Sequence, residues 1–299
     1  MTIIQFTLTT TDILSLQNTL ECGQSFRWKK QPDDSYIGIV KGIPALVWNE
    51  NNNIIVKTTA DKKRDMRQFW ADYFDLQTDY AAIIASFRKE FSNHPFTLRA
   101  LEYGKGLRIL RQDAWEMLIS YIISQQSNIP TISKRVEELA KQKGKKTVLE
   151  KCELYSFPTP EKIAEFSETD LREIGFGYRA PYIFQATKSI LDKKIIFGNL
   201  RKLPLPDALK ELMQLRGVGT KVANCVCLFG LGKHDAFPVD TWITKANKYY
   251  AGKLSAALFG EYAGVAQEYI FHYVRHIEKH PENSIICDNI NSHIRISMK

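Results

Sequence analysis

The chain has 299 residues, 44% hydrophobic and 25% charged, the composition of an ordinary globular protein with room for one large core or two domains. Its 41 lysines and arginines against 33 carboxylates give a formal charge of +8, which suits a polyanionic partner. No apolar run approaches membrane-spanning length, and the opening MTIIQFTLTTTDILSL lacks a basic n-region and a cleavage site, so a soluble, intracellular chain with no membrane partner is expected.

Residues 24–59 read as strands. SFRW, SYIGIV, PALVW and NIIVKTT are short, rich in β-branched and aromatic residues, and separated by turn chemistry at residues 31–35, 41–42 and 49–53. An antiparallel sheet of about four strands is the economical arrangement. The period then changes, and RDMRQFWADYF and DYAAIIASFRKEF read as helices.

From Leu107 onward the pattern is helical. RQDAWEMLISYIISQQ is strongly apolar with Asp113 as N-cap, and NIPTISKRVEELAKQKG is amphipathic and closed by Gly144. Two capping-box spellings follow, Thr159 with Lys162 and the better Ser167 with Asp170. The last helix runs through AGVAQEYIFHYVRHIEK, and the residues after His280 are polar. The expected fold class is α+β: a small N-terminal antiparallel-sheet domain with helices at residues 1–106, packed on a larger all-helical domain at residues 107–299.

The centre of the chain is residues 212–242. Leu212 and Leu215 keep helical spacing, Gly217 and Gly219 flank Val218, and Ala223 with Val226 restart the helix. This is a helix–hairpin–helix whose second helix opens with amides free to hold an anion, a phosphodiester by choice. Nineteen residues after Lys221 comes Asp240, at the end of Phe237-Pro238-Val239-Asp240. Taken alone, Lys221 reads as a phosphate contact and Asp240 as a helix N-cap.

Together these features resemble the helix-hairpin-helix (HhH-GPD) DNA glycosylases, and GVGTKVANC followed by PVD is most similar to the 8-oxoguanine DNA glycosylase branch. GQSFRW at residues 23–28, YFDL at 73–76, LRQD at 110–113 and GFGYRAPY at 175–182 resemble further landmarks of that branch in the same order. The resemblance implies a bifunctional glycosylase/AP lyase. Lys221 would attack C1′ of the deoxyribose, displace the base and form a Schiff base, and Asp240 would stabilise the oxocarbenium character of the sugar. The base must be flipped out of the duplex to be reached. By resemblance Gly23 offers its carbonyl to the N7–H of 8-oxoguanine, Phe271 and Cys225 sandwich the base, and Gln267 reads its pairing edge.

Gln126, Asn128, Tyr178, Arg179 and the hairpin residues Gly217, Val218 and Gly219 are the implied DNA contacts, with Tyr178 as a wedge and Arg179 on the orphaned cytosine. Three positions depart from the pattern. Gln126 stands for an asparagine, Trp242 for a histidine with a part in phosphate contact or proton handling, and Thr131 for a second cytosine-reading arginine, whose loss of a charged donor set implies relaxed opposite-base specificity.

Five cysteines, Cys22, Cys152, Cys225, Cys227 and Cys287, are odd in number and scattered, which fits a reducing compartment. Only Cys287 follows Cys227, too few for the iron–sulfur cluster of some members, so no cofactor is expected. His272, His276 and His280, at i, i+4 and i+8, read as a solvated or DNA-near face and not as a metal site. The expected partner is damaged double-stranded DNA, bound by a monomer. Two alternatives stand beside this: an alkylated-purine (3-methyladenine type) glycosylase that simply hydrolyses, against which Lys221 argues, and a non-enzymatic DNA-binding hairpin module.

Overall fold

The computed structural model describes residues 2–279 except positions 11, 52 and 62, so His280, Cys287 and the polar tail lie outside the described residues. Strands β1 (Ile3–Leu8), β2 (Lys29–Lys30), β3 (Tyr36–Val40), β4 (Ile43–Glu50) and β5 (Asn53–Thr59) form one antiparallel sheet in the order β1-β5-β4-β3-β2. Lys41 and Gly42, at φ 48° and 79°, make the two-residue turn that pairs Val40 with Ile43. Two details differ from the sequence expectation. IIQFTL adds an edge strand whose alternation buries Phe6 and Leu8, and SFRW contributes almost nothing to the ladder. Its side chains are used elsewhere: Phe26 enters the helical core, and the Arg27 Nε pairs with Glu137 at 2.9 Å.

Around the sheet lie α1 (Leu16–Glu21), α2 (Met66–Tyr73), α3 (Tyr80–Glu90) and α4 (Pro95–Tyr103). Trp70, Tyr73 and Phe74 fill one face of the sheet together with Phe6, Tyr36 and Val47. Tyr80, Phe87, Phe96 and Leu101 of α3 and α4 point the other way, into the core of the larger half.

That core is built on α5 (Ala114–Ile123), every residue of which is buried, as an apolar run without a polar stripe requires. Asp113 caps it by accepting from the Glu116 amide at 3.0 Å. Around it are α6 (Ile129–Lys143), α7 (Pro160–Ile163), α8 (Glu168–Leu171), α9 (Ala180–Leu191), α10 (Phe197–Lys202), α11 (Leu205–Leu212), α12 (Thr220–Cys225), α13 (Thr241–Ala246) and α14 (Ala263–Lys279). Ser167 and Asp170 form the expected capping box of α8.

The larger half is helical with one exception. Residues of KTVLEKCELY form a hairpin, β6 (Lys146–Leu149) and β7 (Cys152–Tyr155), turned at Glu150 and Lys151 with φ 47° and 63°. The sequence reading missed it because neither turn residue is a glycine or asparagine, the usual occupants of such a turn. The hairpin has a packing role: Leu149 and Leu154 cover Ile37 and Ile39 on the outer face of β3, which is therefore buried on both sides. No helix among the described residues is long and apolar enough to cross a membrane.

Candidate active site

The loop after α1 is fixed before it reaches the site. Gln24 is fully buried; its amide Nε2 donates to the Thr19 and Arg108 carbonyls at 2.9 and 2.7 Å, and its Oε1 accepts from the Leu110 amide at 2.8 Å. Gln112 Nε2 donates in turn to the Gln24 carbonyl. These bonds hold Gly23 against the helical half at φ 117°, where a Cβ would come within 2.7 Å of Ile129 Cδ1 and 2.8 Å of Arg275 Nη1. Only glycine satisfies both the dihedral and the space.

The second wall is the hairpin. Gly217 takes φ 82° with Tyr182 packed directly over it, so that a Cβ would meet the ring at 2.3 Å. Gly219, at φ −92°, is extended and serves as the N-cap of α12. Val218 buries its side chain and donates its N–H to the Leu215 carbonyl at 3.0 Å. One residue into α12, Lys221 donates from Nζ to Ser124 Oγ at 3.0 Å and sits over the Tyr121 ring at 4.9 Å.

Asp240 is both N-cap and cavity wall. Its Oδ1 accepts from the Trp242 and Ile243 amides at 2.9 Å each, opening α13. Burial raises its pKa, while those two N–H groups and the Lys221 charge pull it down. Cys225, one turn after Lys221, is 3% exposed; burial pushes its thiol up to about 12 despite the lysine. It is a neutral apolar face, not a thiolate.

α14 closes the site. Gln267 and Phe271 share one face, with Gln267 3% exposed and the Phe271 ring under the Arg275 guanidinium at 5.3 Å. Arg275 itself is tied down, donating to the Glu21 carbonyl at 2.9 Å and to the Cys22 carbonyl.

Gly23, Gln126, Asn128, Lys221, Cys225, Asp240, Gln267 and Phe271 thus line one cavity of about 490 Å³, and Trp242 joins them. Gln126 is exposed at φ 47°, and Asn128 caps α6 by accepting from the Thr131 amide at 3.0 Å. Tyr178 and Arg179 stand beside the cavity. Both turn to the Gln125 carbonyl, the tyrosine hydroxyl donating at 3.1 Å and the arginine Nε at 3.1 Å, and the guanidinium stacks on the Tyr178 ring at 4.4 Å. In this state Arg179 is 5% exposed and already occupied.

One expectation is corrected. His272 is 7% exposed and lies against Tyr103, so it is core and not a solvated face; burial and the neighbouring Arg275 hold its pKa down to about 4. His276 stacks on the same tyrosine at 4.6 Å, and among the described residues no cluster of His, Cys, Asp or Glu is placed to hold a metal ion.

Three residues of the site carried no role in the sequence reading. Ser124 holds the Lys221 amine. Gln125 joins the hairpin, through Nε2 to the Gly217 carbonyl at 3.0 Å, to the Tyr178–Arg179 turn. Glu268 lines the cavity although it is 2% exposed. The first two contacts join distant segments and leave no local spacing to read. Glu268 did leave one trace, a charge inside the apolar run of α14.

Residues 5–118 match the family described as 8-oxoguanine DNA glycosylase, N-terminal domain, and residues 119–253 the HhH-GPD superfamily of base excision DNA repair proteins. The N-glycosylase/DNA lyase OGG1 of Arabidopsis thaliana is 32% identical over 285 residues, covering 86% of this chain and 76% of that one. The N-glycosylase/DNA lyase of Saccharomyces cerevisiae is 30% identical over 259 residues, 79% of this chain and 68% of that one. Among solved structures, the Clostridium acetobutylicum 8-oxoguanine glycosylase/lyase, in complex with double-stranded DNA containing cytosine opposite 8-oxoguanine, superposes with a TM-score of 0.84 at 32% identity, over 93% of this chain and 98% of that one. The chain therefore belongs to the 8-oxoguanine DNA glycosylase family, within the helix-hairpin-helix superfamily of base excision repair proteins.

Proposed function

We propose that this protein is a bifunctional DNA glycosylase and AP lyase that removes 8-oxoguanine from duplex DNA. The observation that carries the reading is the convergence of an amine, Lys221, and a carboxylate, Asp240, on the cavity that also holds Gly23, Cys225, Gln267 and Phe271. The flipped base enters between Phe271 and Cys225, with the Gly23 carbonyl on its N7–H and Gln267 on its pairing edge. Lys221 Nζ attacks C1′ and the C1′–N9 bond breaks, its electron pair leaving with the base. Asp240 offsets the positive charge that builds on the sugar, in a site partly closed to water. Loss of one amine proton and cleavage of the C1′–O4′ bond, with O4′ taking a proton, give the protonated imine; its electron-withdrawing carbon makes the C2′ proton acidic, and removal of that proton expels the 3′ phosphate as the C3′–O bond breaks.

The positive net charge and the hairpin hold the phosphodiester backbone. A soluble, intracellular, monomeric state with domains at residues 1–106 and 107–299 goes with this reading. Opposite-base discrimination is relaxed: Thr131 offers no charged donor set, and Arg179 has to release the Gln125 carbonyl before it can read a base.

Borohydride trapping on a duplex with 8-oxoguanine opposite cytosine tests the reading, with Lys221→Gln beside the wild type. A covalent adduct that the substitution abolishes supports it. Base release without an adduct would establish the hydrolytic alternative, and binding without release the non-enzymatic one. For opposite-base choice, duplexes with C, A, G or T across from the lesion are compared, and a steep preference for C would sink the relaxed reading.

A further inference from the structure

Glu268 follows Gln267 by one residue and precedes Phe271 by three, so the three side chains occupy one sector of α14 toward the cavity. The glutamate is 2% exposed, yet its Oε1 has no hydrogen-bond partner among the described residues. The neighbouring Gln267 Oε1 is in the same condition at 3% exposure. A buried acceptor left empty is costly, and folded proteins rarely leave one without a reason. Here two stand side by side in one cavity.

The nearest thiol and cations among the described residues are engaged elsewhere. The Cys22 thiol donates to the Thr19 carbonyl at 3.3 Å. The Arg275 guanidinium is turned to the Glu21 and Cys22 carbonyls, and the Lys221 ammonium to Ser124. Asp240 and Cys225, the other groups that face Glu268 electrostatically, bring no positive charge. Both open oxygens therefore wait for donors from a ligand.

A guanine-type base is rich in such donors. It carries N1–H and a 2-amino group on its pairing edge, and oxidation at C8 adds N7–H. An adenine-type base brings one exocyclic amino group and, once oxidised, N7–H. We infer that Glu268 is a specificity-determining residue of this pocket: its open oxygen accepts an N–H of the flipped base next to the acceptor that Gln267 presents, which favours guanine-type over adenine-type lesions. The inference rests on the reading of the chain as an 8-oxoguanine glycosylase. It holds for either protonation state, because a carboxyl group keeps one accepting oxygen when neutral. Burial holds this one near pH 7, and an arriving N–H favours its charged form.

The test uses full-length protein carrying Lys221→Gln, so that binding is read without turnover. Affinities are measured for duplexes containing 8-oxoguanine, 8-oxoadenine, or a tetrahydrofuran abasic analogue that leaves the pocket empty. Adding Glu268→Leu should shrink the preference for 8-oxoguanine over 8-oxoadenine by about tenfold, the worth of one lost hydrogen bond to a charged group. Affinity for the abasic duplex should stay within about twofold, and Glu268→Gln, which retains an accepting oxygen, should keep most of the preference. An unchanged preference, or a parallel loss of affinity for the abasic duplex, would overturn the inference and leave Glu268 a structural residue. Wild-type protein that releases no 8-oxoguanine would instead overturn the proposed function, so the two failures are told apart.

Discussion

Lys221 Nζ lies 3.0 Å from Ser124 Oγ, a bond that ties the second hairpin helix to the C-cap of the buried helix α5. The serine hydroxyl donates in turn to the Tyr121 carbonyl at 2.7 Å, so the amine is aimed by a side chain that is itself fixed. Ser124→Ala removes that support and leaves the nucleophile in place. Schiff-base formation should slow about five- to tenfold, the equivalent of about 1 kcal/mol, with DNA affinity unchanged. Single-turnover borohydride trapping reads this directly, and a wild-type rate in Ser124→Ala would show that the serine does not aim the amine.

Thr131 lies in the first turn of α6, and its amide is held by the Asn128 cap. An arginine there adds a planar donor pair without disturbing that cap. Thr131→Arg should steepen the preference for cytosine opposite the lesion by about tenfold, within the 1–3 kcal/mol that one good bidentate contact contributes. The ratio of single-turnover rates with C and with A opposite is the measurement.

Gly23→Ala places a methyl group at φ 117° and within 2.7 Å of Ile129. The left-handed backbone alone costs about 1–2 kcal/mol, before any overlap is relieved. Melting should fall by several degrees, and excision should fall further than stability does, because the loop moves the carbonyl that faces the base. Gly219→Ala is the control, since a Cβ there meets nothing within 4 Å and the backbone is extended. Equal melting temperatures for the two variants would count against this account of the glycine.

Glu268 also has a pH signature. Burial lifts its pKa from 4.5 to about 7, so the folded protein holds this proton more tightly than the unfolded chain does. Stability must then fall as pH rises from about 4.5 to about 7, reaching a cost of about 3 kcal/mol above that window. Glu268→Gln removes the titration and should be more stable than wild type at pH 8, with the gain fading at pH 4.5. Glu116, likewise raised to about 7 by burial, is common to both proteins and drops out of the difference. Urea unfolding at the two pH values decides it.

Much of this molecule could be read from the chain because its signals are local. Asp113, Ser167 and Gly144 mark helix ends within a few residues of the groups they satisfy. Lys221 and Asp240 were legible through their spacing from the hairpin and the proline. What escaped depends on partners far apart in sequence. The β6–β7 hairpin exists to cover Ile37 and Ile39, more than 100 positions earlier, and its two charged turn residues give no hint of that. Val218 looked like part of an outward loop, whereas its side chain is core. Gln125 and Glu268 acquire meaning only when other helices arrive beside them.

The Gln24 side chain belongs to the N-terminal half by covalent order, but its bonds to Arg108 and Leu110 reach into the stretch that leads to α5. Gly23, held by it, lies where a Cβ would meet Ile129, Arg275 and Phe271 of the other half. Ownership of the pocket is therefore divided. On the proposed function, one half supplies the Gly23 carbonyl that faces the base and the other supplies Lys221 and the walls Phe271 and Cys225. Recognition and cutting then draw on one shared pocket, so a change on either side of it bears on both.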